Sequence, residues 1–427
     1  MVQKLIELSL RNRLIVLLMA ASLFAWGIYS VNQNPIDAIP DLSENQVIVF
    51  TEWMGRSPQV IEDQVTYPLV SNLQGIPKIK NIRGTSMFGM SFVYVIFEDN
   101  VDVYWARTRV LERLNYAQRL LPPEVTPSLG PDGTGIGHVF WYTIDAQHMD
   151  LGEQRALQDW YVKLALQTVP GVAEVASFGG FEKQYQLVID PVKLQFYKVS
   201  LMDVMNKVKA NNNDVGGRKF EMSDMAYIIR GLGYVKNKED LESIAVANYN
   251  GIPVRVKDIG SVQMGGDLRL GIFDENGVGE KVGGIVVMRY GENAEKVINA
   301  IKKKMAEVQK GLPQGTTFQI AYDRSSLIEA SVNNIKNKLM EEIAVVCIIV
   351  IIFLFHWRSA LSIIIQIPIT IAVSFILLNA FGVSSNIMSL TGIALAIGVI
   401  VDNGIIMSEN SYRNLSEWQN NPANNKL

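Results

Sequence analysis

The chain has 427 residues, 39 Lys+Arg against 42 Asp+Glu, a net charge of −3 and a pI near 5.8. That length exceeds one ordinary domain, and the lack of a long basic run excludes nucleic acid as a partner. A single cysteine, Cys347, excludes an intrachain disulfide, and no CxxC or Cys/His cluster suggests a zinc site.

Charge is strongly segregated, lying mostly between Asn32 and Lys338. Lys4, Arg11 and Arg13 precede an apolar run from Leu14 to Val31, 18 residues long. That exceeds the ~7–15 residues of a secretory signal's apolar core, so the run reads as an uncleaved anchor.

The section that follows contains an internal repeat. Asp63 to Gly84 realigns with Ala156 to Ser177 at an offset of 93 residues, placing Leu73 on Leu166 and Ile82 on Val175. Each copy reads as strand, amphipathic helix, strand, led by Val47–Trp53 and Phe140–Ile144. Ser91–Glu98 and Tyr185–Asp190 are expected to pair next; the alternative for Gln186–Asp190 is a bridge between the second copy and the section inserted into it. The order β-α-β-β-α-β predicts two split βαβ sandwiches. A Gly- and Asn-rich stretch between Gly179 and Arg269 reads as an insertion. The second copy is expected to finish with strand Gly284–Tyr290, helix Asn293–Gln309 and strand Thr317–Ala321.

Three further apolar segments close the chain: Leu339–Trp357, Ala360–Phe381 and Ile387–Met407. Each approaches the ~20 residues a bilayer-crossing helix needs. Basic residues at the N-terminus and at Arg358, Arg413 and Lys426 place both ends in the cytoplasm and export everything from Asn32 to Lys338.

Asp402 stands out inside the last apolar segment. A mid-span charge costs ~2.5–3.5 kcal/mol, so such groups face a protein interior or a water cavity. Sheltered in that way, a carboxyl is suited to carrying a proton; the alternative is a solvated end residue. Gly392, Ala394, Ala396, Gly398 and Gly404 give the segment a small-residue surface for close helix packing. No Ser/His/Asp constellation or Walker loop points to an enzyme.

Thr391–Asn410 (TGIALAIGVIVDNGIIMSEN) resembles the fourth transmembrane helix of the resistance-nodulation-division efflux pumps. Pro35–Leu42, Gln64–Leu69, Tyr104–Arg107, Leu129–Asp132, Tyr322–Ser325 and Asn386–Leu390 resemble their heavy-metal branch, in one order from the first span to the last. Asp402 is followed by Asn403, where drug exporters carry two aspartates. Ala396 stands where the zinc/cobalt/cadmium type has an acid, which makes the chain most similar to the copper/silver type.

The resemblance implies proton-driven efflux of Cu(I) or Ag(I). Asp402 would relay protons, and Met388 and Met407 would bind the soft metal; packing is the alternative for both methionines. It implies no cofactor, a homotrimer, and a periplasmic adaptor and outer-membrane channel as partners in the bacterial inner membrane.

The expected fold is an α+β membrane protein with four transmembrane helices and two ferredoxin-like βαββαβ subdomains. Its division would be a cytoplasmic end and first span at 1–31, and porter subdomains at 32–128 and at 129–178 with 270–330. A docking subdomain would occupy 179–269, spans 331–357, 358–382 and 386–410, and a tail 411–427. Members of the family run well beyond this length in two homologous halves, so the chain would be the N-terminal part. The competing reading is a membrane-anchored scaffold that binds the adaptor without transporting.

Overall fold

The computed structural model describes residues 2–222, 225–269, 271–354 and 357–420. Helix α1 (Val2–Arg11) breaks at Asn12 and is followed by α2 (Arg13–Gln33). Twenty-one residues span about 31 Å at 1.5 Å per residue, the thickness of a bilayer's hydrocarbon core.

The first soluble unit is built from β1 (Gln46–Glu52), α3 (Pro58–Ile61), a π turn, α4 (Tyr67–Leu73), β2 (Ile79–Met87), β3 (Met90–Phe97), α5 (Val103–Ala117) and β4 (Ser128–Leu129). The strand order β2-β3-β1-β4 is that of the split βαβ sandwich. Alternation decides which face is buried: Val47 and Val49 of β1 and Val93 and Val95 of β3 point into one core. Ala106, Val110 and Leu114, four residues apart on α5, close that core from above.

The second unit starts with β5 (Gly133–Asp145), α6 (Leu151–Leu157), a π turn, α7 (Lys163–Gln167) and β6 (Val172–Phe178). At the offset of 93, Ile61, Val65, Leu69 and Leu73 correspond to Gln154, Val162's neighbour Gln158, Val162 and Leu166, and all eight are buried. The repeat therefore lies in burial as well as in letters. One difference is chemical: Gln158 is fully buried, accepting from Tyr142 Oη at 3.0 Å and donating to Ser177 Oγ at 3.3 Å.

After β6 the chain leaves the sheet. Gly179 (φ +73°) and Gly180 (φ +63°) are consecutive left-handed residues, a reversal that glycine makes at low cost. The section beyond contains β7 (Lys183–Ile189), α8 (Pro191–Tyr197), α9 (Leu201–Asn211), and the hairpin of β8 (Val215–Met222) and β9 (Met225–Gly231). It continues through α10 (Lys238–Ser243), β10 (Ala245–Tyr249), β11 (Ile252–Arg255), α11 (Val256–Ile259) and β12 (Gly260–Gly266), around its own core of Val204, Val254, Ile259 and Val262.

One expectation is overturned here: Tyr185–Asp190 does not join the second sandwich. As β7 it pairs antiparallel with β12, and β13 (Val282–Arg289) takes the place beside β6. The glycine reversal carries β7 away before it can pair. The unit then closes with α12 (Ala294–Gln309), capped by Asn293, and β14 (Thr317–Asp323), in the order β14-β5-β13-β6.

Helices α13 (Arg324–Leu354), α14 (Trp357–Ala380) and α15 (Ile387–Asn420) complete the chain. Among the described residues two helices are long and apolar enough to cross a membrane, Arg13–Gln33 and Ile387–Trp418; Ile364–Ala380 is a shorter apolar stretch. Phe355, His356 and the tail from 421, Lys426 included, lie outside the described residues.

Candidate functional site

Helix α15 is fixed at its start by a reciprocal cap. Asn386 Oδ1 accepts from the backbone N–H of Met388 and of Ser389, both at 3.0 Å, and Ser389 Oγ accepts from Asn386 N–H at 2.9 Å. From that anchor Asp402 lies fifteen positions along, about 22 Å into the helix at 1.5 Å per residue.

The helix has two unlike faces. Ile393 and Ile397 are buried with Ile367 of α14. Asp402 lies on the opposite face with the exposed side chains of Leu395, Val399 and Ile406. Glu409 shares that face two turns later. Asp402 makes no ion pair among the described residues. From Leu395 to Ile406 that face is an apolar surface carrying one carboxylate, Asp402.

Met388 and Met407 are both exposed, at 68% and 60%. Met388 falls within about 40° of Asp402 around the helix, whereas Met407 lies about 140° away. Nineteen positions, about 28 Å of helix, separate the two sulfurs' backbones, so they cannot ligate one ion together. Gly392 and Ala396 are exposed, and a side chain at Gly392 would meet no atom within 4 Å. Gly398 and Gly404 are half-buried. A tight small-residue contact joins two other helices: a Cβ on Gly27 of α2 would sit 2.3 Å from Ala372 Cβ on α14. Sequence reading missed that pair because nothing local links α2 to α14.

Three of the quoted motif segments meet at the foot of the soluble units. Ile36 bridges Ser385 in parallel, with Ser385 N–H donating to Pro35 at 2.9 Å and Asp37 N–H to Ser385 at 3.1 Å. Buried Asn34 donates to Ser385 Oγ at 2.8 Å. Arg324, 4% exposed at the start of α13, faces Asp37 at 3.4 Å and donates to the Ile136 carbonyl at 2.6 Å. Arg324 Nε is buried without a partner among the described residues. Beside it, burial opposes ionisation of Asp323, but hydrogen bonds from Lys302 and Ser325 outweigh it and hold the carboxyl below its usual range. The end of α2, the start of α13 and the start of α15 are thereby fastened to one another and to β5.

Split βαβ units strung between membrane-length helices are the build of a membrane transporter, and the comparisons agree. The AcrB/AcrD/AcrF family matches residues 5–426. The chain is 45% identical over 423 residues to the cation efflux system protein CusA of Escherichia coli K12, covering 98% of this chain and 40% of that protein. It is 36% identical over 428 residues to the cobalt-zinc-cadmium resistance protein CzcA of Cupriavidus metallidurans, again across 98% and 40%. A crystal structure of a heavy metal efflux pump superposes with a TM-score of 0.85 at 33% identity, covering 96% of this chain and 41% of that one. The chain thus spans about 40% of the length of the curated relatives it matches. It belongs to the AcrB/AcrD/AcrF family of resistance-nodulation-division transporters, in the heavy-metal efflux branch.

Proposed function

We propose that this chain is the N-terminal part of a proton-driven heavy-metal exporter of the bacterial inner membrane, with Cu(I) or Ag(I) as cargo. The observation that carries the reading is the face of α15, where one carboxylate stands among Leu395, Val399 and Ile406. Lipid would be a costly neighbour for that carboxylate, so further helices must cover it and shelter proton uptake and release. Asp402 is the proton relay. Met388 and Met407, too far apart to share an ion, are successive soft-metal stations along the helix, each needing a ligand from a neighbouring segment. Gly392, Ala396, Gly398 and Gly404 leave room for that segment's backbone.

In this reading α2, α13, α14 and α15 are four spans with both ends cytoplasmic. The two βαββαβ units are periplasmic porter subdomains, and residues 179–269 dock the neighbouring machinery. The working form is a homotrimer joined to a periplasmic adaptor and an outer-membrane channel. The 45% identity to a cation efflux protein supports export of a metal cation, and the lack of an acid at position 396 supports a soft monovalent one.

The test uses the complete pump in proteoliposomes under an imposed pH gradient. Gradient-dependent movement of Ag(I) but not Zn(II) is expected; Ag(I) movement indifferent to the gradient would sink the proton-driven reading.

A further inference from the structure

The first soluble unit carries a methionine cluster that the proton and metal path on α15 does not use. Strands β2 and β3 are joined by a two-residue turn, Phe88-Gly89, so that Met87 and Met90 are direct cross-strand partners. Such partners leave the sheet on the same face with Cβ atoms about 4.5–5.5 Å apart. Met90 is also the direct partner of Glu52 on β1, which puts that carboxylate in the same row.

A third thioether comes from the loop after β1. Trp53 N–H donates to the Gly89 carbonyl at 2.8 Å and Gly89 N–H to the Arg56 carbonyl at 3.0 Å, knitting the loop to the hairpin turn. Gly89 has φ +70°, a turn position that glycine fills without strain. A side chain there would begin 3.0 Å from Met54 Sδ, so the Met54 sulfur lies against the turn that joins Met87 to Met90.

These methionines are not core filler. Met54 is 48% exposed and Met87 51%, and Met90 is half-buried. Three neutral thioethers offer nothing to a hard or borderline divalent ion but suit a soft monovalent one, and Glu52 balances its charge. Among the described residues no group of three or more His, Cys, Asp or Glu competes for a metal.

We infer that Met54, Met87 and Met90, with Glu52 alongside, form a binding site for Cu(I) or Ag(I) on the first soluble unit. The site rests on the soft-metal reading above and adds a station to it outside the membrane. The turn lies at the end of β1 away from Gln46, where the chain arrives from α2, since Gln46 pairs with Ile96 and Glu52 with Met90.

The test is a titration of the whole 427-residue chain, labelled with [methyl-13C]methionine in detergent micelles, with Ag(I) and separately with Zn(II). The methyl signals of Met54, Met87 and Met90, assigned by single Met→Leu variants, are expected to shift together with Ag(I) and to ignore Zn(II). The near-isosteric variant M54L/M87L/M90L, its fold checked by circular dichroism, is expected to bind one Ag(I) fewer. Unmoved signals at these three positions, or an unchanged Ag(I) count in the triple variant, would overturn the site. Both readouts measure binding without transport. Gradient-driven Ag(I) export by the complete pump alongside either negative result would therefore remove this site and leave the efflux reading standing.

Discussion

The two soluble units and the membrane helices solve the same burial problem differently. Each βαββαβ unit closes its own core: Val47, Leu73, Val95 and Val110 in the first and Phe140, Leu166, Val286 and Ile298 in the second are fully buried by their own sheet and helices. Helix α15 buries only the Ile393/Ile397 side and leaves Leu395, Val399 and Ile406 exposed around Asp402. A face that is left open holds the carboxylate, whereas the closed cores hold none. If Asp402 is the proton relay proposed above, the chemistry sits on the open face and the two βαββαβ units supply fixed geometry.

The largest effect should come from breaking the open face. In the complete pump, Asp402→Asn should abolish gradient-driven metal movement, because an amide occupies the same space and cannot take up a proton at any ordinary pH. Glu409→Gln, on the same face but two turns nearer the helix end, should retain most of it. Paired flux measurements in proteoliposomes decide the matter: equal losses from both variants would mean that Asp402 has no special place on the helix.

Next comes the fastening between the two regions. Arg324→Met removes the cation that faces Asp37 at 3.4 Å and that donates to Ile136 at 2.6 Å. Breaking a buried pair from one side costs about 3–5 kcal/mol, because the remaining charge is stranded. Urea unfolding of the chain in detergent, followed by tryptophan fluorescence, should show a midpoint lowered accordingly; a loss under about 1 kcal/mol would mean water reaches the pair.

The repeat invites a matched pair of substitutions. Leu73→Ala and Leu166→Ala occupy equivalent, fully buried positions, and each should cost about 2–5 kcal/mol through lost contact and a residual cavity. Similar costs in the same unfolding measurement would show that the two units are packed alike. A twofold gap would show that the Tyr142–Gln158–Ser177 chain of the second copy and the Thr66–Ser86–Ser91 cluster of the first stiffen their surroundings unequally.

What the sequence made legible follows the range of the forces. The apolar period of residues 61–76 and 154–169 marks a buried helix face, and so the doubling of the unit shows in the letters. Asp402 shows because one charge in an apolar run is conspicuous by itself. Partners remote in the chain do not show in this way. Strand β7 has the same alternating composition whether it pairs with β6's sheet or with β12, and only the Gly179–Gly180 reversal decides. Asn34 and Ser385 are 351 positions apart, and neither local propensity nor periodicity carries their meeting. Nor does any local pattern announce the tight contact of Gly27 on Ala372. A periodic pattern reports that a face is apolar or small, and leaves open what lies against it.

The smallest expected effect sharpens the contrast by pH. Asp323 sits outside the membrane-length helices, bonded to Lys302 and to Ser325 Oγ at 2.7 Å, with its carboxyl held below the usual range. A depressed folded-state pKa means that stabilisation is full where both folded and unfolded states are ionised. As the pH falls, the unfolded state takes up its proton first, and the contribution is lost as the pH then passes through the folded value. Asp323→Asn should therefore cost about 1.5–3 kcal/mol at neutral pH, the worth of hydrogen bonds to a charged group. The gap between variant and parent should narrow below about pH 4, where carboxylates begin to protonate. Unfolding midpoints taken from pH 7 down to pH 3 would show it. A gap that stays constant over that range would assign the loss to the geometry of the Asp323–Ser325 hydrogen bonds instead of the charge, leaving the fastening at the start of α13 to rest on Arg324 and Asp37.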